Sequence, residues 1–192
     1  MSNMSNAVKG FTLIELMMTL TIAAILMTVA VPSFSTFTKN SRITASVNKV
    51  VSAVSLARAE ASKRGVRVVL CRSDEVGGVD PDCSGAGGTA KDWSNGWLLF
   101  AVGTSRATPL YDPDQDDVLL GQFSIDNNVV IKTRSANDKN LEFNPDGTTN
   151  ENGSTAKFAI CDDRGSDHGR VIEVSPVGRA VTEDADTCTP VG

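Results

Sequence analysis

The first hydrophobic segment of the chain runs without interruption from residue 11 to residue 31. It reads FTLIELMMTLTIAAILMTVAV and contains a single charged residue, Glu15. At a rise of about 1.5 Å per residue, an α-helix of this length would extend about 31 Å. That length matches the hydrocarbon thickness of a bilayer, about 30 Å. The pattern therefore predicts one membrane-spanning helix over residues 11–31.

The residues that follow have the period of an amphipathic helix. Over residues 32–64, apolar side chains recur three or four positions apart, and Gly65 after a basic turn is a typical helix stop. We expect the helix to continue here and its stripe to pack on a β-rich domain. A coiled-coil partner is less well supported, because Ala supplies much of the stripe. The stripe is Ile43, Val47, Val50, Val51, Val54, Ala57 and Ala61, and the predicted polar side includes Ser46, Asn48, Lys49, Ser52, Ser55 and Arg58.

From residue 66 onward the hydrophobic pattern becomes that of short β-strands. The strands are separated by turns rich in Gly, Asn, Asp and Pro, without the strand–helix alternation of a parallel sheet. The pattern predicts an α+β protein whose long N-terminal helix packs on an antiparallel β-sheet head over residues 65–192. The candidate strands are residues 66–71, 96–102, 118–124, 128–133, 141–144, 157–161, 170–175 and 179–182.

Two residue types within the helical segment need a specific explanation. Pro32 lacks a backbone donor, so we expect it to bend or interrupt the helix where the helix leaves the membrane. The threonines at positions 12, 19, 21 and 28 are expected to hydrogen-bond to carbonyls of the preceding turn, which makes them tolerable in lipid.

A short polar segment, residues 1–10, precedes the hydrophobic run. A secretory signal peptide would need a shorter apolar stretch and a small-residue cleavage site after it, and neither is found around residues 31–33. A plain membrane anchor is a further alternative. It gives no reason for Glu15, however, because an unpaired carboxylate in lipid costs several kcal/mol.

Chain cleavage between Gly10 and Phe11 would supply a partner for this carboxylate. The new α-amino group, with a reference pKa of about 7.7–8.0, would lie four residues before Glu15, on the same side of the first helical turn. The amine and Glu15 could pair within one chain or between neighbouring chains in a stack of parallel helices. A carboxyl that simply takes up a proton is the alternative.

Residues 9–16 (KGFTLIEL) resemble the class III signal of type IV prepilins and type II secretion pseudopilins. The resemblance implies cleavage after Gly10, methylation of the Phe11 amine by a prepilin peptidase, and a role for Glu15 in docking into the growing filament. Pro32 lies where the family often carries a helix-kinking proline.

Three segments of the head resemble the GspH/FimT/FimU group of minor pilins and pseudopilins: residues 55–65 (SLARAEASKRG), 93–97 (WSNGW) and 175–179 (SPVGR). The resemblance implies the type IV pilin fold. No catalytic constellation stands out among the residues, so we expect a structural protein, not an enzyme, with no metal or cofactor. The expected function is that of a minor pilin that helps to initiate or cap a type IV pilus through contacts with other minor pilins and the major pilin. A GspH-type pseudopilin of a type II secretion system is the alternative. The expected location is the inner membrane, with the head in the periplasm, and then the filament or its tip.

The four cysteines, Cys71, Cys83, Cys161 and Cys188, form no C-x-x-C pair, and a single histidine cannot complete a zinc finger. An even number at wide spacing behind a membrane segment predicts disulfides in an oxidising compartment. Of three connectivities, Cys71–Cys83 with Cys161–Cys188 is favoured because each bond closes a local loop. Free buried thiols are the alternative.

Charge bears on a third hypothesis, a pilus-associated DNA receptor. Some FimT-type members bind DNA, and their proposed determinant is a C-terminal Gly-Arg-x-Arg element on a basic surface. Here residues 178–181 read GRAV, so the second arginine is missing, and the formal net charge of −5 disfavours bulk binding to phosphates. Arg164, Arg170 and Arg179 are the candidate DNA contacts if they cluster.

Three other features of the sequence are expected to have structural roles or to be solvated. The only histidine, His168, lies in a polar turn and is expected to be solvated, not part of a catalytic triad. The acidic segment 112–117 lacks the glycine and final glutamate of an EF-hand loop and is predicted to be a charged turn, not a calcium site. Trp93 and Trp97 are predicted to pack in the core, with a subunit contact as the alternative.

Overall fold

The computed structural model describes residues 10–78, 81–83, 92–103, 110–133, 140–150, 154–186 and 188. The predicted leader, residues 1–9, lies outside them. The chain divides into two compact units, Met1–Lys39 and Asn40–Gly192. One helix, α1 (Leu13–Arg64), precedes the strands β1 (Val68–Arg72), β2 (Trp97–Ala101), β3 (Val118–Phe123), β4 (Val130–Thr133), β5 (Asn140–Phe143), β6 (Ala156–Cys161), β7 (Arg170–Val174) and β8 (Ala180–Asp184). Two short 3₁₀ helices are formed by Pro113–Gln115 and Ser166–His168.

The described part of the N-terminal unit is mainly helical from Leu13 onward, and most of its side chains are exposed. α1 is long and apolar enough to cross a membrane, and none of its most apolar 18-residue window is buried. The hydroxyls of Thr19, Thr21 and Thr28 donate to carbonyls three or four residues earlier, at 2.7–2.8 Å, which confirms the expectation for these threonines. Thr12 differs, because its hydroxyl accepts a hydrogen bond from a backbone N–H.

Pro32 does not interrupt the helix, so that part of the expectation is wrong. α1 continues through it to Arg64, although the proline has no N–H to donate to the carbonyl four residues earlier. The hydroxyls of Ser35 and Thr36 both donate to the Pro32 carbonyl, at 3.2 and 3.1 Å. These bonds lie in the turn immediately after the proline.

The second half of α1 packs on the head through a stripe wider than the one predicted. Ser46 is 3% exposed, so its assignment to the polar side is wrong, and Ala53 was missed. At 3.6 residues per turn, positions 46 and 53 lie beside positions 50 and 57, which places them on the same buried face of the helix. Val51 is only partly buried. The buried residues of α1 are Ile43, Ser46, Val47, Val50, Ala53, Val54, Ala57 and Ala61.

The head is antiparallel, as predicted, and its strands form two four-stranded sheets. Their strand orders are β3-β2-β1-β5 and β4-β6-β7-β8. All five residues of β1 and of β2 are buried. One face of this pair, including Leu70 and Leu99, joins the main core with α1, and the other, including Phe100, forms a smaller core with Cys83. Burial on both faces explains the continuous apolar sequence of residues 97–102, because neither face meets water.

The indoles of Trp93 and Trp97 lie in the main core, as predicted, and are 2% and 1% exposed. Trp97 stacks on Phe123 with ring centroids 5.7 Å apart, and the edge of Trp93 meets Phe158 at 5.1 Å. In a protein with few aromatic residues, these rings fill the space between α1 and the sheets.

Two disulfides join the cysteine pairs that close local loops. Cys71 in β1 is bonded to Cys83, and Cys161 at the end of β6 is bonded to Cys188, with Cα atoms 5.4 and 5.9 Å apart. The bonded cysteines are 12 and 27 residues apart in the sequence. Closing loops of this size lowers the conformational entropy of the unfolded chain, which stabilises the folded protein by about 3 kcal/mol per disulfide. The second bond fastens the C-terminal segment to the sheet that contains β6.

The turn between β7 and β8 depends on a glycine. The Gly178 N–H donates to the Ser175 carbonyl at 2.8 Å, and Gly178 has a φ of +73°. A β-carbon at this position would overlap the carbonyl of Gly147, from the turn after β5, and would press on the side chain of Arg58. The turn therefore requires glycine both for its backbone angle and for close packing between two loops.

This packing predicts unequal effects for two glycine substitutions. Gly178→Ala should destabilise the protein by about 1 kcal/mol more than Gly165→Ala, because both sites have positive φ but a β-carbon at Gly165 meets nothing within 4 Å. Denaturant unfolding of the full chain in detergent, followed by the fluorescence of the buried tryptophans, measures the difference. Equal denaturant concentrations at the unfolding midpoint for the two variants would contradict the proposed packing.

Candidate assembly segment and head arginines

The N-terminus of α1 is capped by Thr12. Its Oγ1 accepts a hydrogen bond from the Glu15 N–H at 3.3 Å, and its carbonyl accepts from the Leu16 N–H at 3.1 Å. Thr12 and Glu15 have the spacing of a capping box, in which the first residue satisfies a backbone donor that the helix leaves open. The expectation that Thr12 bonds back to a preceding carbonyl missed this role, although the T-x-x-E pattern is visible in the sequence.

Glu15 is the third residue of α1 and lies in its first turn. A negative side chain is favoured there by the helix dipole, typically by about 0.3–1 kcal/mol at an exposed site. The single acid of the apolar segment therefore lies where the first backbone N–H groups of the helix have no partner within the helix. The cap and the acid both lie after Gly10, so both would remain after cleavage at that residue.

The candidate cleavage site precedes the helix and is accessible. Gly10 and Phe11 are exposed, Phe11 to 80%, and a β-carbon at Gly10 would meet nothing within 4 Å. Gly10, Phe11 and Glu15 thus lie within six consecutive residues at one end of the apolar segment. Pro32 is 17 residues beyond Glu15, or about 26 Å along the helix axis. The candidate assembly residues therefore lie at opposite ends of the segment.

Arg164 in the head is bound by residues of its own chain. Its Nη2 and Nε donate to the Asp162 carboxylate at 2.7 and 3.0 Å, and its Nη1 donates to Asn40 Oδ1 at 2.8 Å. The hydrogen bond from Arg164 to Asp162 raises the pKa of Arg164 above its usual value, against the opposing effect of desolvation. Arg164 therefore holds the β6–β7 loop against α1 through Asn40, which is a structural role.

Arg170 and Arg179 lie at opposite ends of the β7–β8 hairpin. Arg170 begins β7 and forms an ion pair with Asp184 of β8 at 2.8 Å. Arg179 follows the turn beyond the other end of β7, so about 13 Å of strand separates the two positions. Arg170 and Arg179 therefore do not lie side by side, and Arg164 and Arg170 each contact an acid of the head. The spacing of these arginines in the sequence could not show their separation in space, because it depends on the end of the hairpin at which each residue lies.

The acidic segment 112–117 uses its carboxylates to order its own backbone. Asp112 accepts from the Asp114 N–H at 3.0 Å, while Asp117 accepts from the N–H groups of Gly103 and Asp112 at 2.9 Å each. This is the charged turn that the sequence predicts. Within the described part of the chain, no cluster of three or more His, Cys, Asp or Glu side chains could hold a metal ion. His168 is exposed in a 3₁₀ helix.

Comparison with known proteins gives two family matches. Residues 46–178 match the family described as type II transport protein GspH, and residues 5–31 match the prokaryotic N-terminal methylation motif. Among curated proteins, none matches this sequence.

Two crystal forms of the type IV minor pilin FimU of Pseudomonas aeruginosa strain PAO1 are similar in fold. The TM-scores are 0.54 and 0.57, with 19% and 20% sequence identity. The alignments cover 76% and 80% of this chain and 99% of the FimU chain in both cases. At such identities the likeness supports the fold, an N-terminal helix packed on antiparallel sheets.

The GspH match extends over more than half of the chain, the methylation motif coincides with the capped apolar helix, and the head has a pilin fold. The protein belongs to the GspH family, as a prepilin of the GspH/FimT/FimU group.

Proposed function

We propose that this protein is a minor pilin of a type IV pilus, which helps to initiate or cap assembly through contacts with other minor pilins and the major pilin. The observation that carries the proposal is the N-terminal segment: an exposed Gly10–Phe11 bond, a threonine cap and a single acid in the first turn of an unburied apolar helix. A helix that serves only as an anchor needs no acid at that position.

The proposed sequence of events follows from this segment. The helix holds the chain in the inner membrane with the head in the periplasm, a prepilin peptidase cleaves after Gly10, and the Phe11 amine is methylated. Glu15 then pairs with a Phe11 amine, either its own or that of a neighbour in the filament. Pairing compensates the free-energy cost of a carboxylate in an apolar environment. Pairing with a neighbour's amine would also favour one axial offset between adjacent helices. Pro32 allows a local adjustment where the helix emerges.

A pseudopilin of a type II secretion system is the second candidate, and the description of the matching family favours it. The likeness to FimU favours the pilus. A DNA receptor is supported least, because Arg164 and Arg170 are engaged within the head and only Arg179 remains at the Gly-Arg-x-Arg position.

Deleting the gene in the native host separates the first two candidates. A minor pilin predicts far fewer surface pili with unchanged secretion of extracellular proteins, and plasmid-borne protein should restore the pili. Pilus number by electron microscopy and the secreted protein profile are the measurements. Loss of secretion with normal pili would overturn the proposal in favour of the pseudopilin.

Glu15→Gln tests the role of the Glu15 charge with little change in side-chain size. We expect wild-type amounts of cleaved protein in the membrane but about tenfold less in sheared pili, because the amide cannot form the ion pair. Thr12→Ala is the control, because it removes the helix cap and leaves the charge of Glu15 in place. Loss of such a cap typically lowers helix stability by about 1 kcal/mol. Immunoblots of membrane and pilus fractions measure both. Wild-type amounts of the Glu15→Gln variant in pili would show that the charge is dispensable.

A further inference from the structure

A groove on the head runs between α1 and the start of β8. Its volume is about 450 Å³, and one wall comes from a single face of the helix while the other comes from the residues after the β7–β8 turn. We call it the Arg58–Arg179 groove. It is lined by Val51, Ser55, Arg58, Ala59, Ser62, Gly178, Arg179 and Ala180.

Two glycines make room for the side chain of Arg58 at this groove. Gly147 and Gly178 come from different turns and have φ values of +80° and +73°. A β-carbon on Gly147 would lie 3.0 Å from Arg58 Nε, and one on Gly178 would lie 3.3 Å from the same atom. Both turns therefore have glycine next to the Arg58 side chain. A larger residue at either position would displace the Arg58 side chain.

The charges of the two groove arginines are not balanced by the rest of the described chain. Among the residues that the structure describes, neither guanidinium forms a hydrogen bond or an ion pair. Arg64, Arg67 and Arg170, by contrast, each contact a carboxylate at 2.5–3.1 Å. In a protein with 23 acidic and 18 basic side chains, carboxylates are plentiful, yet none of those described reaches this groove.

The lining indicates the chemistry of an external partner. A guanidinium binds a carboxylate with two parallel hydrogen bonds, and two of them at one groove favour an anionic group. Ser55 and Ser62 add hydroxyls on the same helix face, while Val51 and Ala180 add apolar surface. Val177, next to the groove residues in sequence, is 61% exposed. This mixture suits a peptide segment that has a carboxylate beside apolar atoms.

We propose that the Arg58–Arg179 groove binds a carboxylate-bearing segment of a neighbouring pilin-type subunit. The proposal rests on the function proposed above and specifies the chemistry of one subunit contact. In this proposal Arg179 recognises a protein partner, and Arg58, on the opposite wall of the groove, contacts the same partner.

A protein carboxylate fits the groove better than a nucleic acid backbone does. Affinity for duplex DNA comes from neutralising several phosphates along the helix, and two arginines supply only a small part of that. Glu183 and Asp184 occupy the far end of the exposed strand β8, where Asp184 pairs with Arg170, so the strand adds no basic surface to the groove. A single carboxylate needs no such extended basic surface.

Carbodiimide coupling in isolated, intact pilus assembly complexes tests the contact. The reagent joins an amine to a carboxylate at ion-pair distance but does not couple arginine. Arg58→Lys and Arg179→Lys should therefore create a link between this chain and a pilin-type subunit that the wild type lacks at those positions. Arg170→Lys is the matched control, because it should link within the chain to Asp184, whose carboxylate Arg170 contacts at 2.8 Å. Peptide mass spectrometry identifies each link.

Each outcome has a defined meaning. An Asp, Glu or C-terminal carboxylate of a pilin-type subunit linked to position 58 or 179 supports the proposal. If the control link to Asp184 forms and neither groove position links to another subunit, the groove contact is wrong while the proposed function stands. If the chain is absent from the complexes, the proposed function fails and the contact fails with it. Retardation of duplex DNA by the full chain in detergent, lost in both Arg58→Glu and Arg179→Glu, would overturn the proposal in favour of DNA.

Discussion

The carboxylate of Glu15 is the only charged side chain between residues 11 and 31, and in the proposed membrane and filament settings the cost of burying it unpaired would constrain the N-terminal unit. Its position depends on where the helix begins. The Thr12 cap starts α1 at Leu13, which puts Glu15 in the first turn, where the peptide dipoles favour negative charge. In the proposed function, the Phe11 amine lies one residue before this cap. The same few residues therefore determine the start of the helix, its charge and the proposed pairing in the filament.

The head satisfies a different constraint, because it must fold around one face of the same helix. Small and β-branched residues such as Ala53, Ala57 and Val54 form the buried face of α1 and share one core with residues of both sheets. Several charged side chains near this core are paired within the chain; Arg164, for example, joins the β6–β7 loop to Asn40. Arg58 and Arg179 differ, since they face a groove between the helix and a hairpin turn. This division separates arginines that stabilise the head from those available to a partner.

Much of this architecture could be predicted from local patterns. The apolar run, the helical stripe and eight candidate strands overlap the observed elements, because hydrophobic period and turn residues act over short distances. The pairing of β1 with β5 and of β4 with β6 was not predictable in this way, since it joins strands that are distant in sequence. Ser46 was misassigned because a small hydroxyl next to a packed face reads as polar. The need for glycine at position 178 depends on Gly147 and Arg58, which only the folded chain brings near it.

The N-terminus of the chain recovered from sheared filaments tests the central claim most directly. Intact-mass and N-terminal peptide analysis should find a chain that begins at Phe11 with one added methyl group, which would place the amine one residue before the cap and four before Glu15. A chain that retains residues 1–10, or one cut after the apolar segment near residue 31, would contradict the account. In the first case Glu15 would have no such amine, and in the second the helix would not enter the filament.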